Sequence, residues 1–194
     1  MSLMRLFSTE AVKGTKHYLD SQKKYEWIRT VLYFAISLSL FAAGIIATGT
    51  RNNLLTIVAV LGCLPACKSL VEAIIYSRYH SLEDKDAEII EAHSGELYCL
   101  YDLVFTSREK TYPVFHMVVR GNTVVGFMPN EKLSESDCAK HLDSCLKIDN
   151  FKDVSIKIFQ DVRKYASRLE QLKELPGDDA LSINIGNTLK SVSL

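Results

Sequence analysis

Cysteine and histidine recur in one short stretch of this sequence at a spacing that could bind a metal ion. Cys138, His141 and Cys145 form a Cys-x2-His-x3-Cys pattern. Thiolate and imidazole are ligands that zinc prefers, so these three residues would bind zinc if a fourth ligand came from elsewhere. The alternative is packing, because Cys138, Leu142, Cys145 and Leu146 lie on one face of a predicted helix. The pattern leaves both interpretations open.

Asp102 and His116 could form an acid–base pair. They lie on two neighbouring predicted strands, and a carboxylate facing an imidazole can move a proton. The alternative is a buried or cross-strand structural role for both. The sequence has no glycine-rich phosphate loop, no nucleophile elbow and no zinc-protease helix. We therefore predict no catalytic residue, no metal and no cofactor, and the sequence favours a protein that is not an enzyme.

A third set of chemical groups lies in an apolar stretch. Lys68 and Glu72 are four residues apart, so in a helix they share a face and can pair. An intramembrane charge pair would mark an ion or proton path. Alternatively, the pair lies near the interface and Lys68 extends its ammonium group towards the headgroups. Cys63 and Cys67 lie one turn apart and could bind a metal or react as thiols, or they could simply pack.

The apolar stretch predicts a two-helix transmembrane hairpin over residues 30–77. Residues 30–50 carry no charge and no proline, and residues 54–76 form a second apolar segment. A helix needs about 20 residues to cross a hydrocarbon core of roughly 30 Å. The connection Arg51-Asn52-Asn53 is so short that the two helices must be antiparallel neighbours.

Basic residues near the spans predict the orientation, because Lys and Arg favour the cytosolic side. The turn has only Arg51, whereas the two flanks carry Lys16, Lys23, Lys24, Arg29, Arg78 and Lys85. Both termini are therefore predicted in the cytosol, in a multi-pass protein of the plasma membrane. Residues 1–29 read as a basic amphipathic segment that lies on anionic lipid, or else as a frayed tail that only sets the topology.

Residues 83–175 predict a cytosolic α/β domain of class α+β, with the order α-β-β-β-α-β-α. The predicted elements cover residues 83–93, 97–107, 112–120, 123–128, 134–148, 154–159 and 161–175. Gly121-Asn122 is a tight-turn signal between two of the strands. In the tail, residues 176–194, the alternation of Leu181, Ile183 and Ile185 could add an edge strand.

The element order from Glu83 to Leu175 resembles restriction-endonuclease-like folds, including the nuclease-related domains of some membrane proteins. The resemblance implies a metal-binding acid at Asp102 and a helix acid at Glu88 or Glu91. Such enzymes also carry a Glu-x-Lys on the next strand, but here that strand reads VFHMVV, without a carboxylate or a lysine. The site formed by Asp102, His116 and Glu91 would then be degenerate.

The segments KYEWIRTVLYFAISL and TIVAVLGCLPACKSL resemble an uncharacterised family of bacterial membrane proteins with two spans. This resemblance implies the location and adds no activity.

Charge and composition narrow the range of functions that this protein could have. The net charge is zero, which argues against general binding of polyanions, and the five cysteines have no framework spacing. The lipid bilayer is one predicted partner. We expect a membrane-anchored interaction or scaffold protein with a protein partner. The alternatives are a membrane-tethered nucleic-acid-binding protein and a small oligomeric channel or transporter component.

Overall fold

The structure is a computed structural model that describes residues 13–194. Within these residues the chain divides into two compact units. We call residues 19–80 the hairpin unit, and residues 13–18 with 81–194 the α/β unit. Residues 1–12 of the segment 1–29, which was predicted to lie on anionic lipid, are outside the described residues.

The hairpin unit contains two long helices, α1 (Tyr18–Thr48) and α2 (Leu54–Ser77). Asn53 closes the turn between them: its side-chain oxygen accepts a hydrogen bond from Thr56 N, and its Nδ2 donates to Thr48 Oγ1 over 3.0 Å. This side chain caps the first turn of α2 and ties it to the end of α1. The bounds of α2 agree with the predicted segment.

Helix α1 begins at Tyr18 rather than at Thr30. Residues 18–29 are therefore a continuous part of α1, in one helix with the predicted first span. The physical reason is local: the stretch QKKYEW consists mainly of residues that favour helix, with no glycine or proline to stop it. The span prediction followed hydropathy alone and so missed the polar start of the helix.

The α/β unit contains α3 (Asp84–Ser94), β1 (Tyr98–Thr106), β2 (Thr111–Arg120), β3 (Thr123–Phe127), α4 (Glu135–Ile148), β4 (Ser155–Phe159), α5 (Val162–Lys173) and α6 (Asp179–Val192). Each predicted element between residues 83 and 175 has a counterpart here. An eighth element, α6, follows them, so the predicted order was incomplete. The four strands form one sheet in chain order, antiparallel between β1, β2 and β3 and parallel between β3 and β4.

Helices cover both faces of the sheet. On one face α4 and α6 bury Leu142, Leu146, Ile185 and Leu189 in one core cluster. On the opposite face α3 and α5 form a second cluster around residues that include Ile90 and Leu169. Burying each such side chain contributes about 1.5–3 kcal/mol, which makes these helix faces the main stabilisers of the sheet.

The tail prediction was wrong, because residues 179–192 form helix α6. The side chain of Asp178 accepts hydrogen bonds from Ala180 N and Leu181 N and caps the helix. Leu181, Ile185 and Leu189 recur every four residues and face the first core cluster, whereas Ile183 is 46% exposed. Leu181 and Ile185 are one helical turn apart, and Ile183 lies between them on the exposed face. The three residues therefore alternate in the sequence without forming a strand.

The edge of β1 is covered by both ends of the described chain. Tyr101 N donates to Gly14 O over 2.9 Å, and Leu194 N donates to Val104 O over 2.9 Å. Lys13 Nζ adds a 2.7 Å hydrogen bond to Ser193 O. An exposed strand edge invites pairing with other chains, and these bonds occupy it.

Candidate functional site

The outer surface of α1 and α2 is apolar and exposed. In the most apolar part of each helix only 17% of the residues are buried, and both helices are long and apolar enough to cross a membrane. The exposed apolar side chains along the two helices include Val31, Leu38, Ile46, Leu54, Ile57, Val60 and Leu64. A helix that is apolar around its circumference requires an apolar surrounding.

A layer of polar side chains joins α1 to α2. Glu26 is 1% exposed, and its Oε1 accepts from Gln22 Nε2 over 2.8 Å and from Arg29 Nη1 over 2.9 Å. Its Oε2 accepts from Ser69 Oγ on α2 over 3.1 Å, and Thr30 Oγ1 donates to the same Ser69 oxygen. A buried carboxylate is costly unless it is paired and hydrogen-bonded, and here both conditions are met.

Sequence reasoning missed this layer. A usable signal was present, because Gln22 lies four residues before Glu26, and Arg29 and Thr30 lie three and four residues after it, so each can contact Glu26 on a helix. Ser69 could not be assigned to them, because it lies 43 residues beyond Glu26.

Lys68 and Glu72 lie on α2 close to this layer. Lys68 Nζ is 3.8 Å from Glu72 Oε1, and Arg29 Nη1 is 4.0 Å from Glu72 Oε2. The Lys68 side chain is 79% exposed and that of Glu72 is 35% exposed. The two charges are therefore close enough to pair as the i,i+4 spacing predicts, while a role for them in ion movement stays a prediction. Cys63 is half-buried and Cys67 is exposed on the same helix.

Asp102 interrupts the regular alternation of β1. Its backbone φ is +55°, a left-handed value that is uncommon for a non-glycine residue, and its side chain is buried. Its Oδ1 accepts from Leu82 N over 3.2 Å. The carboxylate thus satisfies a backbone donor just before α3, which is the structural role that the sequence left open.

The alternation shifts by one residue in both β1 and β2 at this point. Leu100 and Leu103 face the same core cluster although they are three residues apart, and so do Val114 and Met117 on the opposite strand. The register between the strands is unchanged, with Leu100 opposite Met117 and Leu103 opposite Val114. An extra residue in each strand therefore turns both strands together, so that His116 lies on the α5 side of the sheet.

His116 is fully buried and pairs with Tyr165 of α5. Its Nδ1 lies 2.7 Å from the Tyr165 hydroxyl oxygen, and its Nε2 has no hydrogen-bond partner among residues 13–194. The residue opposite His116 on β1 is Tyr101, whose ring lies edge-on at 4.6 Å between centroids. The hydrogen bond to Tyr165 replaces the predicted pairing of His116 with Asp102.

Burial controls the ionisation of the His116–Tyr165 pair. It lowers the pKa of His116 from 6.5 to about 3 and raises the pKa of Tyr165 well above its ordinary value. The imidazole is therefore neutral and the phenol keeps its proton, so Tyr165 donates to Nδ1. A histidine held neutral and enclosed in this way is suited to packing rather than to proton exchange with solvent.

Glu91, the third residue of the degenerate site, lies on the half-exposed face of α3. It makes a 2.7 Å ion pair with Lys16, and this hydrogen bond raises the pKa of the lysine. Within the α/β unit, Glu91 thus ties the segment 13–18 to α3. Its ion-pair partner is therefore Lys16 rather than a residue of the predicted degenerate site.

The Cys138, His141 and Cys145 group lies on α4 as predicted. Cys138 is buried in the first core cluster, where desolvation raises the pKa of its thiol to about 12. Cys145 Sγ lies 3.9 Å from His141 Nε2. The full burial of Cys138 beside Leu142 and Leu146 favours its packing role. Among the residues that the structure describes, no group of three His, Cys, Asp or Glu side chains could hold a metal ion.

A crevice that the sequence did not predict opens at the carboxyl ends of β3 and β4. Its volume is about 590 Å³. It is lined by Glu131, Glu135, Lys157, Ile158, Phe159, Gln160, Asp161 and Lys164. Gln160 shapes its wall by donating from Nε2 to Asn130 O over 2.8 Å and to Leu133 O over 2.6 Å.

Comparison of the chain with protein-family models, with curated proteins and with solved structures found no match.

Proposed function

We propose that this protein is anchored in the plasma membrane by α1 and α2 and that its α/β unit, in the cytosol, docks a protein partner. The observation that supports anchoring is the exposed apolar surface of the two helices. Leaving apolar surface in water costs about 25 cal/mol per Å², a cost that hydrocarbon removes. The turn at Gly49–Asn53 then lies on the outer side, since the flanks carry most of the Lys and Arg.

The end of the hairpin near Trp27 supports the same placement. Trp27 Nε1 donates to Ser77 Oγ over 3.1 Å. This hydrogen bond joins α1 to the C-terminal end of α2, at the end of the hairpin opposite the turn. Tryptophan prefers the interface between water and hydrocarbon. If the hydrocarbon core of the membrane begins at Leu54, about 20 residues of α2 cross its roughly 30 Å. The core then ends a few residues before Ser77.

Two measurements on the full chain test the anchoring. We expect the protein to stay in the membrane pellet after an alkaline carbonate wash, and release into the supernatant would contradict the proposal. In inside-out vesicles we expect protease to remove a C-terminal tag and to spare a tag inserted at Asn52. The reverse pattern would contradict the orientation while leaving the anchoring intact.

A cross-linked pull-down from native membranes tests the docking. We expect one protein to be enriched by the full chain and lost with Ile185→Asp, which places a carboxylate in the core of the α/β unit and leaves α1 and α2 unchanged. A partner retained by Ile185→Asp would assign the binding to the hairpin. Nucleic acid enriched instead, and lost at high salt, would favour the nucleic-acid-binding alternative.

A second candidate function is a subunit of an oligomeric channel or transporter. The observation that favours it is the set of charges on α1 and α2 formed by Glu26, Arg29, Lys68 and Glu72. This function predicts ion or solute flux in vesicles that Lys68→Met and Glu72→Gln reduce. Unchanged membrane insertion of these variants, with no flux in the parent protein, would exclude it.

A further inference from the structure

The two edges of the sheet differ in how they are covered. At the β1 edge, the backbone of Gly14 and that of Leu194 bond to the strand. The opposite edge is β4, and among the described residues β3 is the one strand that pairs with it. An open strand edge presents unpaired N–H and C=O groups, to which another strand can bond.

The hydrogen bonding of β4 shows which of its backbone groups face the open side. Ser155 N donates to Asn122 O over 2.8 Å, so the backbone groups of Ser155 point towards β3. The N–H and C=O of one strand residue point the same way, and the direction alternates along the strand. Ile156 and Ile158 therefore direct theirs away from β3. Within residues 13–194 these groups have no hydrogen-bond partner.

Two copies of β4 are complementary when they pair antiparallel about Ser155. A twofold axis at Ser155 sets Ile156 of one copy opposite Val154 of the other. By the same alternation both residues direct their backbone groups outward, so they can bond to each other across the axis. Both side chains are partly buried against the first core cluster. The pairing therefore extends that apolar face from one copy to the next.

The same register brings opposite charges together. It sets Lys157 of one copy opposite Asp153 of the other, at two places related by the axis. Both side chains are exposed, and neither has an oppositely charged group within 4.0 Å among the described residues. A register centred on Lys157 would instead set the two ammonium groups opposite each other and Asp153 opposite Asp161. Like charges directly opposite are destabilising, so the charges select the axis at Ser155.

The helix beside this edge also exposes apolar surface. Helix α4 packs against β4, and its last residue, Ile148, is 80% exposed. This is the most exposed large apolar side chain in the described part of the α/β unit. A twofold axis perpendicular to the sheet keeps the α4 helices of both copies on the same side, next to each other. Apolar surface that is left in water in one chain is then covered in the pair.

We infer that the α/β unit forms a homodimer through β4, in which two four-stranded sheets join into one continuous sheet. The partner at this edge is a second copy of the chain. The inference therefore goes beyond the proposed docking of a different protein, and it does not depend on the membrane anchoring.

Sedimentation velocity of the full chain in detergent, over a concentration series, measures the association. We expect a monomer–dimer equilibrium that Asp153→Asn and Lys157→Met each weaken at least about fivefold, because each removes both charge pairs of the dimer. The double variant should be weakened about as much as either single one, since both remove the same interaction. The matched control is Lys85→Met, on an exposed lysine of α3, which should leave the association unchanged.

A cysteine at the twofold axis tests the register. Ser155→Cys sets two thiols directly opposite each other, so mild oxidation of the full chain should link the two copies covalently. In the control Lys157→Cys the two thiols lie four residues apart along the paired strands, about 13 Å, which is beyond the reach of a disulfide. The parent protein, with its own five cysteines, gives the background of cross-linking.

A chain that stays monomeric up to about 100 μM would overturn the inference, and Lys157 would then protect the edge against pairing. A dimer that the Asp153 and Lys157 variants leave unchanged would also overturn it, because the association would then lie elsewhere in the chain. Cross-linking of Lys157→Cys as fast as that of Ser155→Cys would exclude this register. All the substitutions alter exposed side chains, and an unchanged thermal unfolding curve would confirm that the variants fold.

Discussion

At the scale of single residues, His116 and Tyr165 form a buried polar pair joined by one hydrogen bond through His116 Nδ1, while His116 Nε2 has no partner among the described residues. Both are fully buried, and the 2.7 Å bond between them joins β2 to α5. The bond exists because the shift in alternation at Asp102 and His116 turns an imidazole towards the α5 side. The pair is therefore a consequence of the backbone geometry as much as of the side-chain chemistry.

Removing either member of this pair is expected to destabilise the protein. His116→Phe and Tyr165→Phe should each lower the free energy of unfolding by about 1–3 kcal/mol, because the remaining polar group is buried without its partner. The double variant should lose less than the sum of the two single losses. Pulse proteolysis of the full chain in detergent, over a urea series, measures all four stabilities. Strictly additive losses would show that the two groups do not interact.

The low pKa of His116 also predicts a pH dependence of stability. The unfolded chain takes up a proton at this residue near pH 6.5, whereas the folded chain does so only near pH 3. Stability at this residue is therefore complete above pH 6.5 and falls as the pH drops towards 3, by at most about 1.4 kcal/mol per pH unit. The urea midpoint of the full chain should fall in this window. His116→Gln should have a shallower slope, and an identical slope would refute the assignment.

At the scale of elements, α6 completes one face of the sheet. Its residues Ile185 and Leu189 are buried among side chains from β1, β2 and α4. Gly186 allows this close approach, since a Cβ at that position would clash with the Tyr98 ring. The C-terminal residues are thus part of the core rather than an appended tail.

Two isoleucines on α6 provide a matched test of this role. Ile185→Ala should lower the free energy of unfolding by about 2–5 kcal/mol, because it leaves a cavity in the core. Ile183→Ala, two residues away and 46% exposed, should change it by less than about 0.5 kcal/mol. Urea unfolding of the full chain in detergent measures the free energy of unfolding of both variants. Equal effects would mean that α6 does not pack on the sheet through this face.

At the scale of the whole molecule, the two units differ in the surroundings that suit their surfaces. The hairpin unit exposes apolar side chains along both helices, while the α/β unit encloses two apolar clusters beneath polar helix faces. A chain with both properties is suited to a membrane span joined to a domain in water. The polar layer around Glu26 then gives α1 and α2 a defined pairing through hydrogen bonds that hydrocarbon cannot replace.

A charge in the middle of α1 tests the membrane assignment. Leu38 is 64% exposed near the centre of the apolar part of α1, so Leu38→Arg should disfavour insertion by about 2.5–3.5 kcal/mol. The fraction of chain resistant to carbonate extraction should fall accordingly. The control Asn52→Arg, in the turn, should leave that fraction unchanged. Equal insertion of Leu38→Arg would indicate that this face of α1 lies in water or against another polar surface.

The sequence by itself determined the features that depend on neighbouring residues. The apolar length of residues 30–50 and 54–76, the short turn between them and the periodicity of residues 83–175 predicted two long helices and a mixed α/β unit. The bounds are close to those observed except at the start of α1. Hydropathy and periodicity are local properties, so one segment is enough to read them. The same methods failed at residues 179–192, where an ambiguous period hid a helix, and they did not show that residues 18–29 continue into the first span as one helix.

Only the tertiary structure decided the features that join distant residues. Glu26 meets Ser69 across 43 positions, and His116 meets Tyr165 across 49. The crevice depends on which face of the sheet α4 and α5 each pack against, which local pattern cannot indicate. The shift at Asp102 and His116 depends on two strands turning together at one register position. These contacts arise from the packing of whole elements, and for that reason no single stretch of the sequence contains them.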